Sequence, residues 1–356
     1  MGNSTQINLH MMSPTGCSLA KTFARWMMVF GFALSCICPA IPSIAQQQPV
    51  AVIFDTDMGP DYDDVGALAL LHAFADMGEA HILATVACTR YEGVASVIQL
   101  INTYFGRPDL PVGVPKDYGL MLRDWQHWTD TLRQQYPHTL RENAAASSAM
   151  EVYRKVLADQ PDQSVTLITV GFMSNIAALL QSAPDHFSDL DGKTLVAKKV
   201  KEMVSMAGRF PKGREFNVQE DVTSALLVLR DFPRPVTFSG YEIGEKVLTG
   251  LSLIRKPQPS PVHKAYSIAI PMSEEDRNGR MSWDQTAVWV AVRGTGHYFK
   301  KVKGMMEVLE DGSNLWHMNP TLSPHAYLIW NSDPQEITAH IETLMMHQPT
   351  KNNHDK

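Results

Sequence analysis

Cysteine is scarce in this sequence, which excludes a protein built on internal disulfides. The chain has four cysteines, and three of them lie within residues 1–45, which we interpret below as a removable N-terminal segment. Only Cys88 lies beyond that segment, and a lone cysteine cannot form an internal disulfide even in an oxidising compartment. We expect Cys88 to pack as a small apolar residue.

Positive charge is also in short supply. The formal net charge is −6, and residues 1–45 carry Lys21 and Arg25 with no acidic residue, so the chain without them is near −8. A net acidic protein without a basic stretch binds nucleic acid poorly, because the phosphate backbone is recognised by clusters of Lys and Arg. We therefore expect no nucleic-acid partner.

The apolar run near the N-terminus is short for a membrane span, which needs about 20 residues. This run, Trp26–Leu34, follows two basic residues and precedes Ser43-Ile44-Ala45, which has small residues at the two positions that a signal peptidase reads. The pattern predicts a secretory signal peptide over residues 1–45, and a periplasmic or secreted protein with no stable membrane insertion after signal removal. An N-terminal membrane anchor is the alternative, and a lipoprotein is a weaker one because the residues before Cys36 form a poor lipobox.

Short apolar, β-branched runs alternate with helix-like stretches along the chain. This alternation predicts an α/β fold: an open, mainly parallel, Rossmann-like sheet with helices on both faces, in a single domain over residues 46–346. Continuous apolar strands favour this arrangement over an antiparallel sheet. The predicted strands are Val52–Phe54, Ile82–Ala87, Pro111–Val114, Val165–Val170, Met203–Met206 and Pro235–Phe238, and the predicted helices are Ala67–Phe74, Ala95–Phe105, Ser148–Ala158, Ser174–Leu180 and Thr223–Leu229.

Two segments interrupt the alternation. Residues 116–147 are rich in charge, Trp and Gln, and we interpret them as an insertion near the site. Residues 255–282 are Pro-rich and then charged, and we interpret them as a loop excursion that could act as a lid. The polar tail, residues 347–356, is expected to be disordered.

Five aspartates fall within the ten residues Asp55–Asp64, between apolar runs at 50–54 and 65–71. Carboxylates this close repel one another and are costly to hold near a buried strand end. A bound cation would offset that cost, and oxygen ligands favour Ca²⁺ or Mg²⁺ over zinc. Because Asp63 and Asp64 come where a helix begins, one of them could instead be an N-cap. The segment predicts a metal or catalytic site at the end of a strand.

Further polar residues follow the other predicted strands. Asp55 and Asp57 follow the first strand, residues 89–91 follow the second, and Gly171 and Gly208 follow two later ones. In open α/β sheets, ligands bind beyond the carboxyl ends of the strands. We therefore expect these positions to converge.

The order of four motifs resembles the nucleoside hydrolase family, in particular the inosine-uridine preferring nucleoside hydrolases. Asp-Thr-Asp-x-Gly at 55–59, followed by Asp63-Asp64 opening a helix, resembles a bacterial subgroup that has two extra residues before the Asp pair. Residues 168–177, Glu215-Phe216-Asn217-Val218 and Ser282-Trp283-Asp284 resemble later motifs of the family, in the same order. Each motif alone is weak, but the ordered set covers residues 50–345.

The resemblance implies hydrolysis of the N-glycosidic bond of ribonucleosides to free base and ribose with a tightly bound Ca²⁺, which is preferred to Mg²⁺. Asp57, Asp64 and Asp284, with the backbone carbonyl of Val170, would be the metal ligands. Asp57 is also the candidate base that takes a proton from the attacking water. Carboxylates suit this reaction, because cleavage builds positive oxocarbenium character on the sugar.

The resemblance also assigns residues to a small-molecule nucleoside or ribosyl substrate. Asp63 would bind a ribose hydroxyl, Glu215 and Asn217 would contact the sugar, and Trp283 would lie at the substrate. Family members are often homodimers or homotetramers, so the resemblance allows a homo-oligomer. No residue in the sequence identifies an interface.

Several of these residues also have plainer interpretations. Asp55 and Asp61 are expected only to support the loop. Glu215 and Asn217 could be ordinary polar loop residues, and Asp284 could be an N-cap for the helix that follows it.

The sequence departs from the family at the leaving group. In one branch a His precedes the late Asp and protonates the leaving base, whereas this chain has Trp283. Another branch lacks the His and activates purines by aromatic stacking, which would make this protein purine-leaning. The stack could come from Trp283, Tyr91, Phe210, Trp125 or Trp128.

Two other functions stay open. A non-catalytic binder of a ribosyl compound or sugar could use the same fold, because fold does not dictate function. A haloacid-dehalogenase-like phosphatase also has Asp-x-Asp after a strand, with the first Asp, here Asp55, as the phosphorylated nucleophile. That motif does not require the following Asp pair, and it leaves Glu215, Asn217 and Asp284 unexplained.

Overall fold

A computed structural model describes most of the chain beyond residue 47. The predicted signal at residues 1–45 and the last part of the predicted tail, residues 350–356, lie outside the described residues. The described residues belong to one compact unit. The described ranges are 48–256, 259–318 and 324–349.

The elements follow the predicted alternation and then continue past it. The strands are β1 Val50–Thr56, β2 Ala80–Ala87, β3 Val112–Val114, β4 Ser147–Ser148, β5 Val165–Thr169, β6 Val200–Met206, β7 Lys212–Arg214, β8 Val236–Ser239, β9 Leu248–Thr249, β10 Arg280–Met281, β11 Phe299–Val308, β12 Ser313–His317 and β13 His325–Trp330. The helices are α1 Asp63–Asp76, α2 Val94–Tyr104, α3 Trp128–Gln135, α4 Ala149–Asp159, α5 Ser174–Gln181, α6 Gly192–Lys199, α7 Phe216–Glu220, α8 Val222–Asp231, α9 Tyr241–Gly244, α10 Leu251–Arg255, α11 Pro261–Ala269, α12 Trp283–Arg293 and α13 Pro334–Met345.

The central strand β1 is buried on both of its faces. Successive side chains of a strand point to opposite faces of the sheet. Accordingly, Val52 and Phe54 pack in a hydrophobic cluster with helices α1, α2, α11, α12 and α13, whereas Ile53 packs with α4, α5 and α8 on the other side. The sheet is therefore covered by helices on both faces, as predicted.

Eleven strands of the described chain form one sheet, in the order β4-β3-β2-β1-β5-β6-β8-β13-β11-β12-β7. The pairs from β4 to β13 are parallel, and the pairs from β13 to β7 are antiparallel. The predicted α/β fold with a mainly parallel sheet is confirmed. The antiparallel end was not predicted; it contains the β11–β12 hairpin, whose short connection requires antiparallel pairing.

The prediction of a loop excursion over 255–282 is wrong in part, because helix α11 lies inside it. Ser260 is the N-cap and accepts a hydrogen bond from the amide of His263, and Pro261 occupies the first turn. Proline is well tolerated there, since that N–H has no partner within the helix. The proline-rich composition therefore marked a helix start, and Tyr266 and Ala269 of this helix are buried.

The beginning of the predicted polar tail is anchored to the fold. His347 Nε2 lies 2.7 Å from an Asp76 carboxylate oxygen, and its ring stacks on Phe105. Across the described ranges, no helix combines the length and the apolar character that a membrane span requires.

Candidate active site

The loop after β1 is held in a tight, specific shape. Thr56 Oγ1 accepts a hydrogen bond from the amide of Met58 at 3.0 Å and donates one to Asp64 Oδ1. Gly59 has φ +144°, and a Cβ at that position would lie 2.5 Å from the ring of Tyr91. Only glycine fits this turn, which carries the chain from β1 to the start of α1.

Neither Asp63 nor Asp64 caps the helix that they open. The N-cap position of α1 is Tyr62, which makes no capping bond through its side chain, and both aspartates lie in the first turn. Asp284 is likewise in the first turn of α12, whose N-cap position is Ser282. The capping interpretation of these three residues is therefore wrong. Carboxylates in a first turn are stabilised by the helix dipole.

Three of these carboxylates converge although they come from two distant parts of the chain. One oxygen each of Asp63, Asp64 and Asp284 lies within 4.8 Å of the others, and all three residues are buried. Asp57 is buried beside them and lines the same pocket as Asp63 and Asp284. The closest group of three thus contains Asp63, whereas the resemblance assigned Asp57 to the ligand set.

Gly171 allows β1 and β5 to approach closely at this point. A Cβ on Gly171 would lie 2.6 Å from the Asp57 amide nitrogen and 2.7 Å from its Oδ1. The preceding residue, Val170, lines the pocket, and its carbonyl accepts a hydrogen bond from Asn217 Nδ2 at 3.0 Å. The carbonyl proposed as a metal ligand therefore lies at the same pocket as Asp57.

Burial and mutual repulsion make these carboxylates hard to ionise. Burial, followed by the charge of Asp64, raises the pKa of Asp57 well above its usual range. Burial and the charge of Asp63 do the same for the pKa values of Asp64 and Asp284. Burial raises the pKa of Asp63 less, to about 6, because Arg280 lies beside it.

The cluster fits a hard divalent cation. Its donors are all oxygens, and the buried Oδ2 of Asp64 has no hydrogen-bond partner among the described residues. An unpaired buried carboxylate oxygen is costly, and a cation would satisfy it while offsetting the repulsion. Oxygen-rich sets of this kind suit Ca²⁺ or Mg²⁺.

Arg280 is a buried cation beside the cluster that was not predicted from the sequence. Its guanidinium binds Asp63 Oδ1 through Nε at 3.1 Å and Nη2 at 2.8 Å, and it also binds Asp61 Oδ1. It lies 4.9 Å from the ring centroid of Tyr62 and 5.0 Å from that of Trp283. The only sequence cue was an arginine four residues before Asp284, which is too common a pattern to single out.

The pocket in front of the cluster has an aromatic wall. Phe216, Tyr241 and Trp283 line it together with Arg214, and no histidine of the described chain does. The cavity has a volume of about 120 Å³, which is smaller than the range of about 300–1,000 Å³ usual for sites that enclose a drug-sized ligand.

Of the five candidates for a stacking ring, only Trp283 lines this pocket. Tyr91 and Trp128 belong to the hydrophobic core, Phe210 stacks on Tyr327, and Trp125 is an exposed residue outside the pocket lining. The sequence left these five as alternatives, because distance along the chain does not show which ring faces the cavity.

Glu215 and Asn217 line the pocket and also hold its wall together. Glu215 is the N-cap of α7 and accepts hydrogen bonds from the amides of Gly208, Asn217 and Val218. Burial nevertheless raises its pKa to about 7. Asn217 Nδ2 bridges the carbonyls of Val170 and Met206. Neither residue is an ordinary polar loop residue.

Asp55 lies beneath the loop and does not line the pocket. Its Oδ2 accepts hydrogen bonds from Tyr153 Oη at 2.6 Å and Asn175 Nδ2 at 3.0 Å. Burial raises its pKa to about 7. Such an enclosed carboxylate is poorly placed as a nucleophile, which argues against the phosphatase reading.

Comparison with known proteins agrees with the resemblance. The family model for inosine-uridine preferring nucleoside hydrolases matches residues 52–338. The pyrimidine-specific ribonucleoside hydrolase RihA of Klebsiella pneumoniae is 26% identical over 231 residues, which cover 61% of this chain and 66% of that protein. The non-specific ribonucleoside hydrolase RihC of Salmonella paratyphi B is 27% identical over 216 residues, which cover 59% and 63%. The chain thus spans slightly under two thirds of the length of these curated relatives.

Solved structures share the fold. A plant nucleoside hydrolase superposes with a TM-score of 0.65 at 17% identity, covering 84% of this chain and 99% of that one. A purine-preferring ribonucleoside hydrolase from Gardnerella vaginalis superposes with a TM-score of 0.64 at 16% identity, covering 83% of this chain and 99% of that one. Because the family model matches most of its length, the chain belongs to the inosine-uridine preferring nucleoside hydrolase family.

Proposed function

We propose that this protein hydrolyses the N-glycosidic bond of ribonucleosides to free base and ribose, with Ca²⁺ as its cofactor. The observation that carries the proposal is the meeting of Asp57, Asp63, Asp64 and Asp284 at a pocket with an aromatic wall. Membership of the nucleoside hydrolase family supports the reaction class. Carboxylates at this pocket would stabilise the positive charge that develops on the sugar ring.

Asp57 is the candidate base. It lines the pocket, where its carboxylate can take a proton from a water molecule at the cluster. A Ca²⁺ ion held by Asp57, Asp64, Asp284 and the Val170 carbonyl would lower the pKa of a water molecule and attract sugar hydroxyls. Asp63 then accepts a hydrogen bond from a ribose hydroxyl.

The leaving base would lie against the aromatic wall. Trp283 donates its indole N–H to the Tyr241 carbonyl at 2.8 Å, and the two rings lie 5.3 Å apart, so this part of the wall is fixed. Phe216 is 43% exposed and can pack on a bound ring. Flat bases bind such a wall by stacking, and the larger face of a purine favours purine nucleosides.

A panel of purine and pyrimidine ribonucleosides tests the proposal. We expect free base and ribose from at least one of them when Ca²⁺ is present, and none after addition of a chelator, as followed by chromatography. Asp57→Asn should abolish the release. Asp162→Asn, at an exposed residue paired with Lys199, is the matched control and should keep full activity. Absence of cleavage across the panel with Ca²⁺ would refute the proposal.

One observation favours the second candidate, a non-catalytic binder of ribosyl compounds. No histidine of the described chain lines the pocket, and Trp283 occupies the position where one branch of the family has its acid. Calorimetry separates the two functions, because the binder would retain an intact ribonucleoside without turnover.

We also propose that the protein acts in the periplasm or outside the cell. The support is the apolar run Trp26–Leu34 with small residues at 43–45, all outside the described residues. Cell fractionation and N-terminal sequencing of the recovered protein test this. An arginine placed within the apolar run should keep the protein inside the cell, and recovery of unprocessed wild-type protein in the cytoplasm would contradict the proposal.

A further inference from the structure

Arg280 joins two carboxylates that both line the pocket. Its Nη2 binds Oδ1 of Asp61 and Oδ1 of Asp63 at once, and both aspartates are pocket residues. Asp61 is half-buried, whereas Asp63 and Arg280 are buried. Two oxygens that share one nitrogen lie at most about 6 Å apart, twice a hydrogen-bond length.

The guanidinium is itself held rigidly. It lies against the rings of Tyr62 and Trp283, and its Nη1 is 3.7 Å from Asp276. Asp276 Oδ2 accepts a hydrogen bond from the Tyr62 hydroxyl at 2.7 Å. Planar stacking and several acceptors restrict an arginine far more than a single ion pair does.

The binding pattern leaves the second oxygen of each aspartate for other donors. Arg280 uses Oδ1 of both residues. Within the described chain, Oδ2 of Asp63 accepts a long hydrogen bond of 3.4 Å from the amide of Asp284. Two carboxylates fixed by one guanidinium each keep an acceptor oxygen that Arg280 does not use, which suits two neighbouring hydroxyls of a sugar, each of which donates one hydrogen bond.

We propose that Arg280 is a positioning residue that holds Asp61 and Asp63 as a fixed pair of acceptors for two adjacent sugar hydroxyls. The proposal rests on the proposed function for its substrate class, a ribosyl compound. It assigns Asp61, which the sequence analysis treated as a supporting residue, a direct contact with the substrate. Arg280 itself acts through the two carboxylates.

Arg293 provides a matched control for Arg280. It also binds a carboxylate, with Nε and Nη2 at 2.7 and 2.8 Å from Glu79, and it also lies against two rings, those of Phe74 and Trp289. It stands at the far end of α12, away from the pocket lining. Arg293 is more exposed than Arg280, so Arg293→Lys tests the loss of a stacked, paired guanidinium at a place away from the pocket.

The experiment measures kcat and KM for the best ribonucleoside and for its 2′-deoxy and 3′-deoxy analogues. We expect Asp61→Asn and Arg280→Lys each to raise KM for the ribonucleoside about tenfold or more, the effect of losing a hydrogen bond to a charged group. For the analogue that lacks the partner hydroxyl, Asp61→Asn should change KM less than threefold. The KM of the double variant, Asp61→Asn with Arg280→Lys, should be no higher than the KM of Arg280→Lys alone. Arg293→Lys should leave KM unchanged.

An unchanged KM and unchanged discrimination between the analogues in Asp61→Asn would overturn the proposal. This variant changes a half-buried residue, so it remains informative if Arg280→Lys fails to fold. Should the wild type cleave no nucleoside, the proposed function fails and the pair is tested by calorimetry with ribose and 2-deoxyribose in the presence of Ca²⁺. The proposed acceptor pair is supported if ribose binds more tightly than 2-deoxyribose and Asp61→Asn abolishes this difference. Equal binding of both sugars, or no binding of either, would overturn it.

Discussion

Two buried arginines of this protein have opposite surroundings. Arg154 binds one carboxylate, Asp185, at 2.6 Å, and its other contacts are neutral: the Ser182 hydroxyl and the carbonyls of Ser188 and Leu190. Arg280 faces three carboxylates, those of Asp61, Asp63 and Asp276. The first arginine is balanced within its own cluster, whereas the second stands beside an excess of negative charge.

The difference shows how a structural cluster and a functional cluster can be told apart by charge. In the balanced cluster, one arginine is matched by one carboxylate and by neutral acceptors, an arrangement that suits a stabilising role. Around Asp57, Asp64 and Asp284 the carboxylates outnumber the cations, and burial raises their pKa values well above the usual range. Burying this excess of negative charge is costly for the fold, and clusters of groups with shifted pKa values in a cleft are typical of functional sites.

The largest effect should come from neutralising one member of the excess. Asp57→Asn should lower kcat/KM for a ribonucleoside by about 10²–10⁴-fold, the usual contribution of a general base. The same change should leave the unfolding free energy in chelator equal or higher, because it removes repulsion between buried like charges. Urea titration and steady-state kinetics measure the two quantities. A variant that lost stability and kept its activity would place Asp57 with the structural residues.

The balanced cluster should respond in the opposite way. Arg154→Met should lower the unfolding free energy by about 3 kcal/mol or more, because it breaks a buried pair and leaves carbonyls without donors. Activity per folded molecule should stay at the wild-type level. Urea titration checks the first expectation and kinetics at low temperature the second. If Arg154→Met lowered kcat without loss of stability, the division between the two clusters would fail.

The pH dependence of stability should reveal the buried acids of the site. Burial raises the pKa of Glu215 from 4.5 to about 7, so the folded state holds this proton more tightly than the unfolded state does. Its stabilising contribution is therefore complete below pH 4.5 and is lost as pH rises to about 7, by roughly 3 kcal/mol. Urea midpoints between pH 4 and 8 in chelator measure this fall. Glu215→Gln should reduce the fall of the urea midpoint with pH. An equal fall in this variant and the wild type would contradict the assignment of the fall to Glu215.

The smallest of these effects is that of the cation itself. Ca²⁺ at about 100 times its dissociation constant should raise the unfolding free energy by about 2.7 kcal/mol. Asp284→Asn should remove most of this rise. Arg154→Met should show the full rise, although its unfolding free energy without Ca²⁺ is lower than that of the wild type. Thermal unfolding with Ca²⁺, Mg²⁺ or chelator measures the rise. An equal rise in Asp284→Asn would mean that the ion binds elsewhere.

The parts of the fold that depend on local pattern were predictable. Apolar runs such as Val165–Val170 became strands, and the helix after Asp63-Asp64 formed where it was expected. The helix α11 was missed because proline was interpreted as a breaker, although Pro261 occupies a first turn where it is tolerated. The wall rings Phe216 and Tyr241 were missed because they lie on short helices whose orientation depends on distant packing.

By itself, the sequence determined the alternating strands and helices of the parallel part of the sheet, the acidic loop and the family, because these depend on neighbours along the chain and on the order of motifs. Only the tertiary structure decided which groups meet. Arg280 is more than 200 residues from Asp63, and no local pattern specifies contacts across such a distance. The balance of charge at the site is set by this packing, because the energy of a buried carboxylate depends on whatever the fold brings within a few ångströms of it.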